Sequence, residues 1–185
     1  MGYSFTIGKK VTDEDYYKDL VKELIEEENY TKEEAEVEAS RIAVKALEEE
    51  HSKAPAFGEP TDNMNERWPS YSAWSYMIEM TELERLLLNG NEVKGGHPGY
   101  FKITAEWLEE LLFMIKRFKK RYPDCIASYD ESLETHSVKI QSKRDREITI
   151  SVNFLLCRLE WMEYWCVYAF EKYGEEAIFQ NTEIY

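Results

Sequence analysis

The residues best equipped for chemistry in this chain are arginines set among rings. Arg67-Trp-Pro-Ser-Tyr-Ser-Ala-Trp74 joins a guanidinium, hydroxyls and indoles at a loop-to-helix corner, where a helix N-terminus can receive an anion. Arg158 precedes Trp161 and Trp165 at i+3 and i+7, so its guanidinium can stack on indole or present its fork to an anionic ligand. Arg67, Ser70, Tyr71, Trp74, His97, Tyr100, Arg158 and Trp161 together have the make-up of a small-ligand pocket, rings with a few polar groups. Two blander readings stand beside this one. Aromatic residues are more often core, and an arginine on such a helix more often pairs with a glutamate.

Other chemistries find less support. His51, His97 and His136 are the only histidines, and none sits at metal-ligand spacing from another, so no metal site is expected. There is no Gly-x-Ser-x-Gly elbow, phosphate loop or dinucleotide fingerprint. Gly95-Gly96-His97-Pro98-Gly99 reads as a turn. Cys157 and Cys166 lie among apolar residues of one helix, nine positions and about 180° apart, so they neither bridge nor act as reactive thiols. Glu160 and Glu163 sit in an aromatic helix, where partial burial could shift their pKa, although a surface stripe is the commoner state. No catalytic residue and no cofactor are assigned.

Charge narrows the partners. The 185 residues carry a net −14, and residues 1–50 hold fifteen acids against seven bases, a net of −8. Such a field repels nucleic acid, and the basic run Lys116–Arg121 is read as the C-terminal end of a helix, where cations complement the dipole. No stretch of about 18 apolar residues suggests a membrane span, and no signal peptide is read at the start, so a reducing, cytoplasmic setting is expected.

The elements that must position these residues are mostly helical. Ile148, Val152, Leu155, Leu159, Met162, Cys166, Ala169 and Tyr173 form a long apolar seam, with Trp161, Trp165 and Tyr168 as a second row, predicting a central helix over about 147–173 with Gly174 as its cap. Thr104 opens a second strong helix that Pro123 stops, and Ser70 caps a third. The acidic part predicts helices over about 13–28 and 31–50, the latter opened by a Thr31/Glu34 capping box. Tyr3 to Ile7 alternates like a short strand, Val138 to Ile140 offers another, His51 to Pro69 reads as a long loop, and Glu175 to Gln180 as a terminal turn. The expected fold is mainly α (α+β): one domain over 1–185, a helical bundle around a central C-terminal helix with a small β element at the N-terminus. Residues 9–52 are alternatively an acidic helical hairpin inserted on a core of about 135 residues. The apolar seams also suit a homodimer.

The opening Met1–Gly8, the Pro69–Trp74 corner, His97-Pro-Gly99 and Arg158-Leu-Glu-Trp-Met-Glu-Tyr-Trp165 resemble, in that order, a group of small uncharacterised bacteriophage and prophage proteins. Trp68 departs from that pattern, standing where the group is expected to have histidine. The resemblance carries no activity. It implies a phage or mobile-element origin and a small accessory protein acting in the host cytoplasm by binding. The expected function is therefore a non-enzymatic, anti-defence type of protein that captures a small anionic, nucleotide-like host molecule or blocks a host factor. Two alternatives remain open: an acidic inhibitor that imitates nucleic acid through the helices at Glu23–Glu50, and an enzyme acting on a nucleotide-like substrate through Glu160, Glu163 or His97.

Overall fold

In the computed structural model the described residues are 2–54, 64–67, 71–90, 92–133, 136–141 and 147–184, with the backbone alone described at 2, 3, 67, 71–75, 92, 183 and 184. The fold is α+β, and it corrects the expectation of a helical bundle with a small N-terminal β element. The helices share the fold with a curled antiparallel sheet of four main strands that forms a half-barrel.

Strand β1 (Gly2–Thr12) leads into α1 (Glu14–Glu26) and α2 (Lys32–Ile42), followed by β2 (Val44–Ala46) and β3 (Glu66–Arg67). Next come α3 (Tyr71–Met80), α4 (Leu83–Leu87), β4 (Leu88–Asn89), β5 (Glu92–Val93) and β6 (Gly99–Lys102). Helix α5 (Ala105–Arg121), the hairpin β7 (Ser137–Gln141) and β8 (Glu147–Ser151), helix α6 (Val152–Tyr173) and β9 (Ala177–Ile184) complete the order. The sheet runs β2-β1-β9-β6, with β3 beside β2 on the same edge of β1.

Three expectations fail here for one reason, the pull of pairing over local propensity. The second acidic helix ends at Ile42 rather than near Glu50, because Val44–Ala46 pair with Lys10–Thr12. The expected terminal turn is a central strand: Phe5 faces Asn181, Ile7 faces Phe179, and Phe101 faces Phe179 from the other side. The 51–69 segment, expected to be a loop, contains β3, where Phe5 pairs with Arg67 and Thr6 with Glu66. Residues 55–63 and 68–69 of that segment lie outside the described residues.

Alternation divides the sheet into two faces. Phe5, Ile7, Phe101 and Phe179 face α5 and α6, with Phe101 and Phe179 stacked at 5.2 Å and Trp107 edge-on to Phe101 at 5.1 Å. The long helix is thus covered by α5 on one side and by β1 and β9 on another, a sheet doing what a bundle would have done. On the other face Ile178 packs with Val44 and Ala46, and Tyr100 borders them. Buried Asn65 fastens this region. Its Nδ2 donates to the carbonyls of Ile7 and Leu47, and its Oδ1 accepts from Glu49 N at 2.8 Å. Gly8 makes room for that clasp, since a Cβ there would stand 2.8 Å from Leu47 O and 2.9 Å from Asn65 Nδ2. Helices α1 and α2 close on a small core of their own, Leu20, Leu24, Ala35 and Ala39.

Candidate functional site

Helix α6 begins where β8 ends, at Ser151. Ile148 and Ile150 alternate along β8 opposite β7, so the helix starts at Val152 rather than near residue 147, and the hairpin stands beside its first turns. Residues 151, 154, 155 and 158 then share one helix face at i, i+3, i+4 and i+7. Ser151, Phe154, Leu155 and Arg158 form the floor of a cleft of about 370 Å³, walled by Ser137 and Ile148–Ile150 of the hairpin, by Tyr76 of α3 and by Glu131.

Three features make this cleft receptive to an anion. Arg158 is half-buried, and no carboxylate among the described residues lies within ion-pair distance of it; its polar contact is a long 3.4 Å donation from Nη1 to Phe154 O. Side chains on a helix lean toward its N-terminus, and this guanidinium reaches back one turn, to Phe154 O, on the face that also carries Ser151. Ser151 is 8% exposed, and its hydroxyl is buried without a hydrogen-bond partner among the described residues. It occupies the N-cap position yet does not cap: Val152 N of the first turn donates to His136 O at 3.1 Å, and the N–H groups behind it, at the positive end of the helix dipole, lack the acceptor that a serine there usually supplies.

The other expected site residues lie elsewhere. His97 follows the two glycines that turn the chain before β6, and its Nδ1 bonds Asn181 Oδ1. Asn181 Nδ2 also donates to Gly96 O at 2.7 Å, and Arg41 of α2 bonds Pro98 O, so this turn is fastened to the sheet and to α2. Tyr100 lies beneath Lys10, whose Nζ is 5.1 Å from the ring centroid. Trp161 is buried and donates from Nε1 to Met64 O at 3.0 Å. None of these three lines the Arg158 cleft. Arg67 pairs with Phe5, which pairs with Asn181 and through it with Gly99, so Arg67 and the His97 turn stand three strand spacings apart, about 14 Å at the backbone. Tyr71 and Trp74 lie on α3, their side chains outside the described residues, and Ser70 lies outside them altogether. Among the expected residues whose side chains are described, Arg158 alone lines the cleft, and His97, Tyr100 and Trp161 do not join it there. Sequence reading missed Ser151 and Glu131, and the hydroxyl-bearing alternation of β8 was the signal available.

The acids of the aromatic helix are engaged. Glu160 and Glu163 flank Lys119 of α5, at 3.0 and 3.6 Å, a pairing that draws α5 to α6. Burial works against the Lys119 charge, and the two glutamates outweigh it, holding its pKa above the ordinary value.

A second polar constellation lies at the far end of α6. Glu49 Oε1 accepts from Tyr168 Oη at 2.6 Å and from Lys172 Nζ at 2.5 Å, while Tyr173 Oη donates to Oε2. His51 Nδ1 bonds Tyr164 Oη, and the imidazole leans on Tyr168 at 4.8 Å between centroids. Burial pushes the Glu49 pKa upward, but the donors from Lys172, Tyr168 and Tyr173 prevail and hold it below the ordinary value. Burial and the adjacent carboxylate push Tyr173 up to about 12. Tyr168, Lys172 and Tyr173 all donate to Glu49, so the cluster clamps the segment after β2 onto α6.

Among the described residues no group of three His, Cys, Asp or Glu side chains is placed to hold a metal ion, and no helix is long and apolar enough to cross a membrane. Comparison with protein-family models, with curated proteins and with solved structures gives no match.

Proposed function

We propose that this protein is a binding protein for a small anionic molecule, held in the cleft between the start of α6 and the β7–β8 hairpin. One observation carries the reading: in a chain with 37 acids, Arg158 has no carboxylate partner among the described residues and shares its cleft with the buried, unpartnered hydroxyl of Ser151. A guanidinium, a hydroxyl and the positive end of a helix are complementary to phosphate or carboxylate, and the cleft volume falls at the small end of the roughly 300–1,000 Å³ usual for ligand sites. The resemblance to small phage and prophage proteins favours capture of a host molecule over its conversion.

The test is isothermal titration with AMP, inorganic phosphate and 3-phenylpropionate, on wild type and on Arg158→Gln. At least one probe should bind, and Arg158→Gln should weaken it by at least about tenfold, since a charge-assisted pair is typically worth more than 1.4 kcal/mol. The melting temperature of the variant should stay within about 3 °C of wild type, because Arg158 forms no ion pair with a described residue. Arg158→Lys keeps the charge without the fork and should fall between the two. Unchanged affinity in Arg158→Gln would place the anion elsewhere.

A further inference from the structure

We infer that the ligand of this cleft has two ends, an acidic group for Arg158 and Ser151 and an N–H donor for Glu131; the inference rests on the anion reading above. Glu131 lines the same cleft as Arg158, and the two form no ion pair with each other or with any other described residue. Opposite charges that share a cleft without meeting leave each one open to a complementary group on a ligand, an acid for Arg158 and an N–H donor for Glu131. A ligand that reaches from one to the other supplies both.

Glu131 is held in place from the helix that bears Arg158. It opens the 3₁₀ turn Glu131–Leu133, whose Leu133 O accepts from Asn153 Nδ2 at 3.0 Å; Asn153 Oδ1 accepts from Ile126 N at 3.1 Å. Asn153 is fully buried two residues beyond Ser151, so the acidic end of the cleft is registered against the basic end by hydrogen bonds. The neighbouring acid differs. Asp130 accepts from both the hydroxyl and the backbone N–H of Ser132, at 2.7 and 2.9 Å, whereas Glu131 has no such local partner. The same lining includes Ile148, Ile150, Phe154 and Leu155, which suits an apolar or aromatic body. The shared chemistry is thus acid, apolar middle and N–H donor. An aminated nucleoside monophosphate and an aromatic acid with its ammonium at the far end of the ring both answer to it.

Two matched pairs decide between presence and absence of the second end: AMP against purine riboside 5′-monophosphate, which lacks the exocyclic amine, and 3-(4-aminomethylphenyl)propionate against 3-phenylpropionate, which lacks the ammonium. Each is titrated into the full chain as wild type, Glu131→Ala and Arg158→Gln. The amine-bearing member of one pair should bind at least about tenfold more tightly than its partner, and Glu131→Ala, at an exposed position, should erase that preference without lowering the melting temperature. The pair that responds identifies a nucleotide or an aryl acid with a distal ammonium as the source. Equal binding of both members, still lost in Arg158→Gln, overturns the two-ended ligand and leaves the anion reading standing. Binding that ignores Arg158→Gln, or no binding by any of the four, overturns both.

Discussion

Glu49 stands between two acids of identical type, and its environment separates it from them. Three donors converge on its carboxylate, so the ionised form is favoured and its pKa lies below the ordinary value. Tyr173 responds in the opposite sense, its neutral form favoured up to about 12. The linkage follows from these directions. The Glu49 contribution to stability is present above the unfolded carboxyl pKa and is lost as pH falls through the depressed folded value. The Tyr173 contribution is present below the unfolded phenol pKa and is lost as pH rises toward about 12. Glu49→Gln keeps the shape and removes the charge, so it should cost about 1–3 kcal/mol at pH 7. It should also flatten the acid limb of stability below about pH 5 and let Tyr173 titrate closer to the usual phenol range. Urea unfolding across pH and ultraviolet titration of the phenols check this. An acid limb parallel to wild type would remove Glu49 from the account. At this scale the sequence was legible only where chemistry is local. The Thr31/Glu34 box and the Thr104 cap depend on neighbours three residues away and form as read. Arg158 could be picked out by its setting, but Glu49, Ser151 and Glu131 are defined by partners or clefts far along the chain.

Among elements, β2 shows how a side chain can stand in for a strand. Leu47 N donates to Lys9 O and Asp13 N to Ala43 O, which turns the backbone groups of Val44 and Ala46 away from β1. Gln180, buried on β9, fills that free edge: Nε2 donates to Val44 O and Oε1 accepts from Ala46 N, both at 2.7 Å. Its amide therefore mimics a peptide group and curls β2 over the sheet toward β6. Gln180→Ala should destabilise by about 1–3 kcal/mol through two stranded buried backbone groups. Hydrogen exchange at the Ala46 amide should accelerate beyond the global loss of protection. Unchanged relative protection at Ala46 would mean that β2 keeps its place through β1 alone. The same residue explains a failed expectation. Gln180 and Asn181 break the apolar alternation of a central strand, so β9 reads as a turn until β1, β2 and the His97 turn are present to receive their amides. Helices α5 and α6 were legible because their apolar seams repeat over many turns, long enough for periodicity to dominate. The short strands β2, β3 and β6 offer two to four residues each, too few for a period to register.

For the molecule as a whole, charge sets a condition on any anion that binds. With a net −14, the long-range field opposes the approach of an anion to the Arg158 guanidinium, whose own charge attracts it at short range. The two effects respond differently to salt. At about 10 mM ionic strength the Debye length is roughly 30 Å and the whole acidic surface is felt, whereas at about 150 mM it is roughly 8 Å and the local guanidinium and helix end dominate. The association rate of the probe that binds, if it is an anion, should therefore rise between these conditions, the reverse of the fall expected for an anion steered by a basic surface. Neutralising Glu26, Glu27 and Glu28 to glutamine, at exposed positions around the end of α1, should raise the low-salt rate toward the high-salt one. The same change should leave the dissociation rate untouched, because these residues do not line the cleft. Stopped-flow mixing at the two ionic strengths measures both rates. A rate that falls with salt in wild type would show that a positive surface governs capture, and the opposition between global field and local site would then have to be abandoned.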